Sequence, residues 1–144
     1  MSEQSSAEDE MVVQRVYSAA IESLATGETL SAEIRLIHDV EHMMQEANRG
    51  ASLEPYFRWA PVAEIAGIGR HLEEAGVDDL AQLMRKAIGV AFPNGLPATD
   101  DEKSEATDLT EEQGQALAAL FPQLESQNGR VTRLLASYAR RVGV

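Results

Sequence analysis

The chain has 144 residues, enough for one domain that buries roughly 68–70% of its unfolded surface, so an apolar core can form without a covalent staple. With no cysteine it can hold no disulfide, thiolate metal site or Cys nucleophile, and a cytoplasmic location is expected. The 24 acidic against 12 basic side chains give a net charge of −12, a field that repels nucleic acid and anionic membranes and favours basic protein partners.

The first eight residues are polar and acidic, without the basic and apolar regions of a secretory signal. They are expected to be disordered, with 9–144 forming a single helical domain. Val13, Val16, Tyr17, Ala20, Ile21 and Leu24 recur at helical spacing and predict a first helix with one continuous apolar stripe, stopped at Gly27. Ser31 is placed to cap a second helix running to about Arg49. Its expected buried face is Leu36, Ile37, Val40, Met43, Met44 and Ala47.

Gly50-Ala51-Ser52 breaks this helix, and the rings of Tyr56, Phe57 and Trp59 in the short segment that follows are expected to plug the core. Pro61 opens a third long helix with Val62, Ile65, Ala66, Gly69 and Leu72 on one face. Gly67 and Gly69 each weaken it by about 1 kcal/mol relative to Ala; a close helix crossing would offset that. Gly76 stops it, and Asp78 is expected to cap a helix buried through Leu80, Leu83, Met84, Ala87, Ile88 and Ala91.

Pro93, Asn94, Gly95 and Pro97 make a second break, followed by an acidic run whose only base is Lys103. Thr110 with Gln113 reads as a capping box for a helix carrying Leu117, Leu120, Phe121 and Leu124. Gln127-Asn128-Gly129 reads as a turn, and Val131, Leu134, Leu135, Tyr138 and Val142 as the core face of a last helix. With no alternating strand pattern, the expected fold is all-α, a compact bundle of five to seven helices without significant β-sheet. No window reaches the roughly 20 apolar residues of a membrane-spanning helix.

Three patterns bear on chemistry. His38-Asp39-Val40-Glu41-His42 spells the inverted zincin motif H-x-x-E-H. Counting from Val40 at the centre of the apolar face puts His38 and His42 near about 160° and 200°, on the solvent side with Arg35 and Arg49. The motif is therefore read as an exposed polar face, with no metal, cofactor, catalytic residue or enzymatic activity expected. Gly67-Ile68-Gly69 follows no strand, so helix packing is the better reading than nucleotide binding. Arg130, Arg133, Arg140 and Arg141 are expected to pair with the protein's own carboxylates, in part those of the acidic run.

Glu46, Asn48 and Gly50, then Tyr56 and Phe57, then Ala75-Gly76-Val77, Leu80, Ala81, Leu83, Ala87 and Ile88 form an ordered series. This series resembles a bacterial DNA-mimic protein family, closely over 46–90 and loosely over 34–140, departing from its pattern at Arg49, Ala51 and Ser52. Asn48, Gly50 and Gly76 are taken as turn makers, and Tyr56, Phe57 and Trp59 as core. The resemblance implies an all-helical fold and, for at least one relative, the binding of a DNA-binding regulator by imitation of duplex charge.

Physically, a duplex carries one charge per about 1.7 Å, so a net of −12 corresponds to roughly 20 Å of DNA. Carboxylates three or four residues apart on a helix stand about 5–6 Å apart, a spacing of the same order as successive phosphates. Candidate phosphate substitutes are Glu73, Glu74, Asp78, Asp79, Asp100, Asp101, Glu102, Glu105, Asp108, Glu111 and Glu112. The expected function is a non-enzymatic binding protein, monomeric or homodimeric, for a basic DNA-binding protein such as a transcriptional regulator. An immunity or antitoxin-like protein neutralising a basic toxin is the alternative. Neither reading involves direct contact with nucleic acid or membrane.

Overall fold

The computed structural model describes residues 6–106 and 108–144, which form eight α-helices and no strand. The all-α expectation holds, with one helix more than the upper bound. The surplus comes from short pieces, α3 (Glu54–Trp59) and α6 (Asp100–Ala106). Helices of six or seven residues are marginal alone and carry too few turns to show a period, so their existence rests on tertiary anchoring.

α2 (Ala32–Gly50) is the helix against which the others are laid: α1 (Ala7–Ala25), α3, α4 (Val62–Glu74) and α8 (Asn128–Val142) all pack on it. α5 (Asp78–Ala91) then joins α4 to α7 (Glu111–Glu125). A continuous apolar cluster runs through these helices, from Val13 on α1 to Ala139 on α8. No described helix is long and apolar enough to cross a membrane.

The expected caps form where their chemistry demands. Ser31 Oγ accepts from the Ile34 amide at 3.3 Å, and Thr110 and Gln113 exchange both bonds of a capping box at 3.1 and 2.8 Å. Gln113 also donates to the Val90 carbonyl at 2.9 Å, tying the start of α7 to the end of α5. α1 begins earlier than expected, because Ser6 Oγ accepts from Asp9 N at 3.1 Å and acts as its cap. Ser6 to Glu8 are thus ordered, and the rest of the expected disordered start lies outside the described residues. At α5 the residue before the helix is Val77, not Asp78, and Gly76 at φ +93° makes the turn. Asp78 acts on that helix as first-turn charge rather than as a cap.

Other expectations are corrected. Asn128 and Gly129 open α8 instead of forming a turn. Asn48 is not a turn maker: it lies in α2 and exchanges two amide hydrogen bonds with Asn128, at 3.1 and 2.9 Å. The left-handed residue after α2 is Ala51, at φ 51°. Gly50 is needed for another reason, since a Cβ there would stand 2.6 Å from Pro55 Cγ. Gly69 meets the Arg85 guanidinium rather than a crossing backbone, a Cβ there lying 3.2 Å from Nε.

The stripe on α1 is covered only in part, with Ile21 46% and Leu24 38% exposed. α8 crosses the end of the α1–α2 hairpin where α1 starts and α2 finishes. Arg140 reaches Asp9 at 2.8 Å and Asn128 reaches Asn48, which leaves the opposite end of α1 open. On α8 itself Val142 is 36% exposed, so the last turn leaves the core.

Candidate functional site

Two places on this frame concentrate chemistry: a polar cluster inside the bundle and an acidic corner outside it.

The cluster overturns the solvent-side placement of His38 and His42. His38, Asp39 and Glu41 are buried, and His42 is half-buried. The angular count assumed one solvated face, but α1 and α4 cover α2 from both flanks, so its polar face is interior as well. His38 Nδ1 lies 2.8 Å from Asp39 Oδ1, and His71 Nε2 on α4 lies 3.4 Å from Asp39 Oδ2. His42 Nδ1 lies 2.8 Å from Glu64 Oε2, also on α4. All three histidines of the chain therefore meet here.

Aromatic rings extend the array. Tyr17 stacks on His38 with centroids 5.4 Å apart, and the Tyr56 ring meets His42 edge-on at 5.9 Å. Glu41 closes the α1 side, accepting from Gln14 at 2.7 Å and Gln45 at 2.8 Å. Glu46 on the outer side takes Arg49 at 3.0 Å.

The electrostatics follow from these contacts. Burial works against the charge of Asp39, and the hydrogen bonds with His38 and His71 outweigh it, leaving its pKa below the ordinary carboxylate value. Burial raises Glu41 against the opposing donation of Gln45 and Gln14. The bond to Glu64 raises His42, more than burial lowers it. Tyr56 is pushed well above its usual value by burial first and by the Glu64 carboxylate second, and its buried hydroxyl has no hydrogen-bond partner of acceptable geometry among the described residues. His38, Asp39 and Glu64 each offer a ligand atom, all within 4.8 Å of one another, as a metal site would require.

The acidic residues singled out from the sequence divide into two groups. α4 and α5 meet at the Gly76 turn, where Glu73 pairs with Arg85 and Asp79 takes Arg130 at 2.9 Å, with Glu74 and Asp78 exposed beside them. The other ends of α4 and α5 adjoin α6 and α7, through the Val62 amide donating to Asp100 Oδ1 at 2.7 Å and through Gln113 with Val90. A 13-residue helix spans roughly 18–20 Å, so the two groups sit at opposite ends of α4 and do not form one band. Of the C-terminal arginines, Arg130 pairs with Asp79 and Arg140 with Asp9, and among the described residues no ion pair joins Arg130, Arg133, Arg140 or Arg141 to the acidic run.

Within that run Asp100 and Glu102 have internal work. Asp100 supplies the cap that Pro61 cannot give to α4, and Glu102 accepts from the Ala98 amide at 3.2 Å. Lys103 is turned inward at 4% exposure, its Nζ donating to the carbonyls of Phe57 at 2.8 Å and Arg58 at 2.7 Å. Burial lowers its pKa, against the pull of Asp100. Asp101, Glu105, Asp108, Glu111 and Glu112 remain exposed, and no described residue forms an ion pair with them. Trp59 ends the helix whose carbonyls take Lys103, and it is not core as expected but 72% exposed, grouped with Glu54, Pro55 and Arg58; only Tyr56 and Phe57 of the trio are buried. Lys103, Glu64 and His71 were not among the sequence candidates. The single clue to Lys103 is its position as the lone base of an acidic run.

Compared with known proteins, the chain matches no family model, no curated protein and no solved structure.

Proposed function

We infer that this protein is a non-enzymatic acidic binding protein whose α6–α7 corner captures a basic DNA-binding protein, such as a transcriptional regulator, in competition with DNA. One observation carries the reading: the chain's only Trp is 72% exposed at the end of α3, the helix whose Phe57 and Arg58 carbonyls hold Lys103, so the one lysine of the acidic run points inward while five of its carboxylates stay exposed. Exposed tryptophan is an uncommon use of a large apolar ring, and Trp is enriched among the residues that dominate binding energy. The carboxylates supply long-range attraction for a basic surface, and the indole supplies a short-range anchor that water does not compete for. Charge alone would bind any polycation; the ring adds selectivity. The second acidic group, around Gly76, is partly neutralised by Arg85 and Arg130 and ranks below the corner.

The test is affinity capture from a host lysate at low salt, followed by elution with a duplex oligonucleotide. A basic DNA-binding protein released by duplex, and not captured by Trp59→Ala or by the combined Asp101→Asn, Glu105→Gln, Glu111→Gln, Glu112→Gln variant, is the expected result. Capture that duplex DNA does not reverse would favour toxin neutralisation, and capture unaffected by the corner variants would sink the assignment of this surface.

A further inference from the structure

Placing charge inside a helical bundle is costly, and this protein concentrates that cost at one point. Asp39 is 1% exposed and Glu64 6%, and both face histidines across the α2–α4 contact. A buried carboxylate carries a large desolvation penalty unless paired and fully hydrogen-bonded. The imidazoles of His38, His71 and His42 compensate part of it. Among the described residues one buried side-chain polar atom lacks a hydrogen-bond partner, the Tyr56 hydroxyl.

We propose that His38, Asp39 and Glu64 bind a divalent metal ion of the zinc class, with His71 as the fourth ligand. Zinc bonds to nitrogen and oxygen run about 2.0–2.2 Å, so ligands on one ion stand roughly 3–4 Å apart. The three donor atoms already lie within 4.8 Å of one another, and His71 Nε2 is 3.4 Å from Asp39 Oδ2. His38, Asp39 and Glu64 therefore close on an ion with shifts of about an ångström, while His71, near Asp39 but outside that set, moves further to complete the shell. The ion replaces the proton held between His38 and Asp39, and two carboxylates neutralise a dication. Imidazole and carboxylate donors without thiolate suit Zn²⁺, Co²⁺ or Mn²⁺ rather than Cu⁺ or an iron–sulfur cluster.

The surroundings match what such a site needs. His42 holds Glu64 through its 2.8 Å contact, and the Tyr56 hydroxyl gains an oriented acceptor once Glu64 is fixed by an ion. Arg49 is drawn off by Glu46, while Arg70, an exposed residue, keeps its guanidinium over Gly67 on the same side as His71 Nε2. The side chains of His42 and His71, 23% and 17% exposed, give an ion a way in.

The full chain, stripped with chelator, is titrated with Zn²⁺ by calorimetry and with Co²⁺ by visible absorption. One equivalent bound, with Co²⁺ d–d bands of an N/O shell, is expected for the wild type. His38→Ala and Glu64→Gln lower the affinity at least tenfold, and the surface control Asp101→Asn with Glu105→Gln does not. Tyr56→Phe, which leaves no buried charge behind, lowers affinity without reducing metal-free stability. Absence of saturable binding by the wild type overturns the site, as does equal binding by His38→Ala. Should Glu64→Gln fail to fold, His38→Ala still decides, because Asp39 retains His71. Trp59→Ala leaves zinc binding unchanged, so this inference and the corner's binding role stand or fall separately.

Discussion

Replacing Lys103 by Met tests how α6 is held to the body. The thioether keeps the apolar stem but removes an ammonium that donates to two carbonyls at the C-terminal end of α3, of Phe57 and Arg58. An orphaned buried polar group costs about 1–3 kcal/mol; the Phe57 carbonyl is buried and the Arg58 carbonyl partly so, which gives a loss of roughly 2–4 kcal/mol. Against this, the variant no longer desolvates a charge, a cost visible in the lowered pKa of Lys103, so the net falls below that figure. The net is a destabilisation of about 1–3 kcal/mol. With a urea m-value near 2 kcal/mol/M, the midpoint falls by about 0.5–1.5 M. Urea unfolding followed by far-UV circular dichroism reads this directly, with the exposed Lys86→Met as control, expected within about 0.5 kcal/mol of wild type. A midpoint for Lys103→Met equal to that of the control would refute the anchoring role.

Three further outcomes follow from the same structure. Gly50→Ala forces a methyl to 2.6 Å from the Pro55 ring and should cost about 1–3 kcal/mol, whereas Ala51→Gly relieves a left-handed alanine and should stabilise by up to about 1 kcal/mol; thermal unfolding of both reads the opposite signs. Trp59→Ala removes an exposed ring and should change stability by less than about 0.5 kcal/mol, so that a larger loss in chemical denaturation would return this residue to the core. Asp9 is held below the ordinary carboxylate value by its hydrogen bond from Arg140. Its folded pKa being depressed, its contribution is fully present above the unfolded value of about 3.9 and is lost as pH falls through the folded pKa. Asp9→Asn should therefore be less stable than wild type by about 0.2–1 kcal/mol at pH 7, with the two curves converging in acid; a constant gap down to the lowest folded pH would contradict the pairing.

Much of the helical frame is legible in the sequence because long helices announce themselves twice, by apolar period and by caps. Ser31, Gly76 and the Thr110–Gln113 box do so here. What the sequence hides is pairing between distant segments. Lys103 reads as one more solvated charge until α3 is known to end beneath it. Asp100 caps a helix 38 residues away, a relation no local pattern encodes. The burial of the histidines is hidden for a related reason: a helical wheel shows which residues share a face, but not how many neighbours cover the helix. On α2 the second face faces inward too, and its polar groups are matched by Glu64 and His71 from α4.

α3 is where the two sites share material. Within its six residues Tyr56 turns its hydroxyl toward the histidine–carboxylate cluster, and Phe57 packs on Phe92 with centroids 5.8 Å apart. The Phe57 and Arg58 carbonyls take Lys103, and Trp59 faces solvent. So short a helix has no stability of its own, and its position is set by the ring packing on one side and the lysine clamp on the other. The exposed indole is thus carried on a base that the core fixes from within. For the proposed capture of a basic partner, a ring held this way would lose little conformational freedom on docking, a benefit of the end of a buried turn over a free loop.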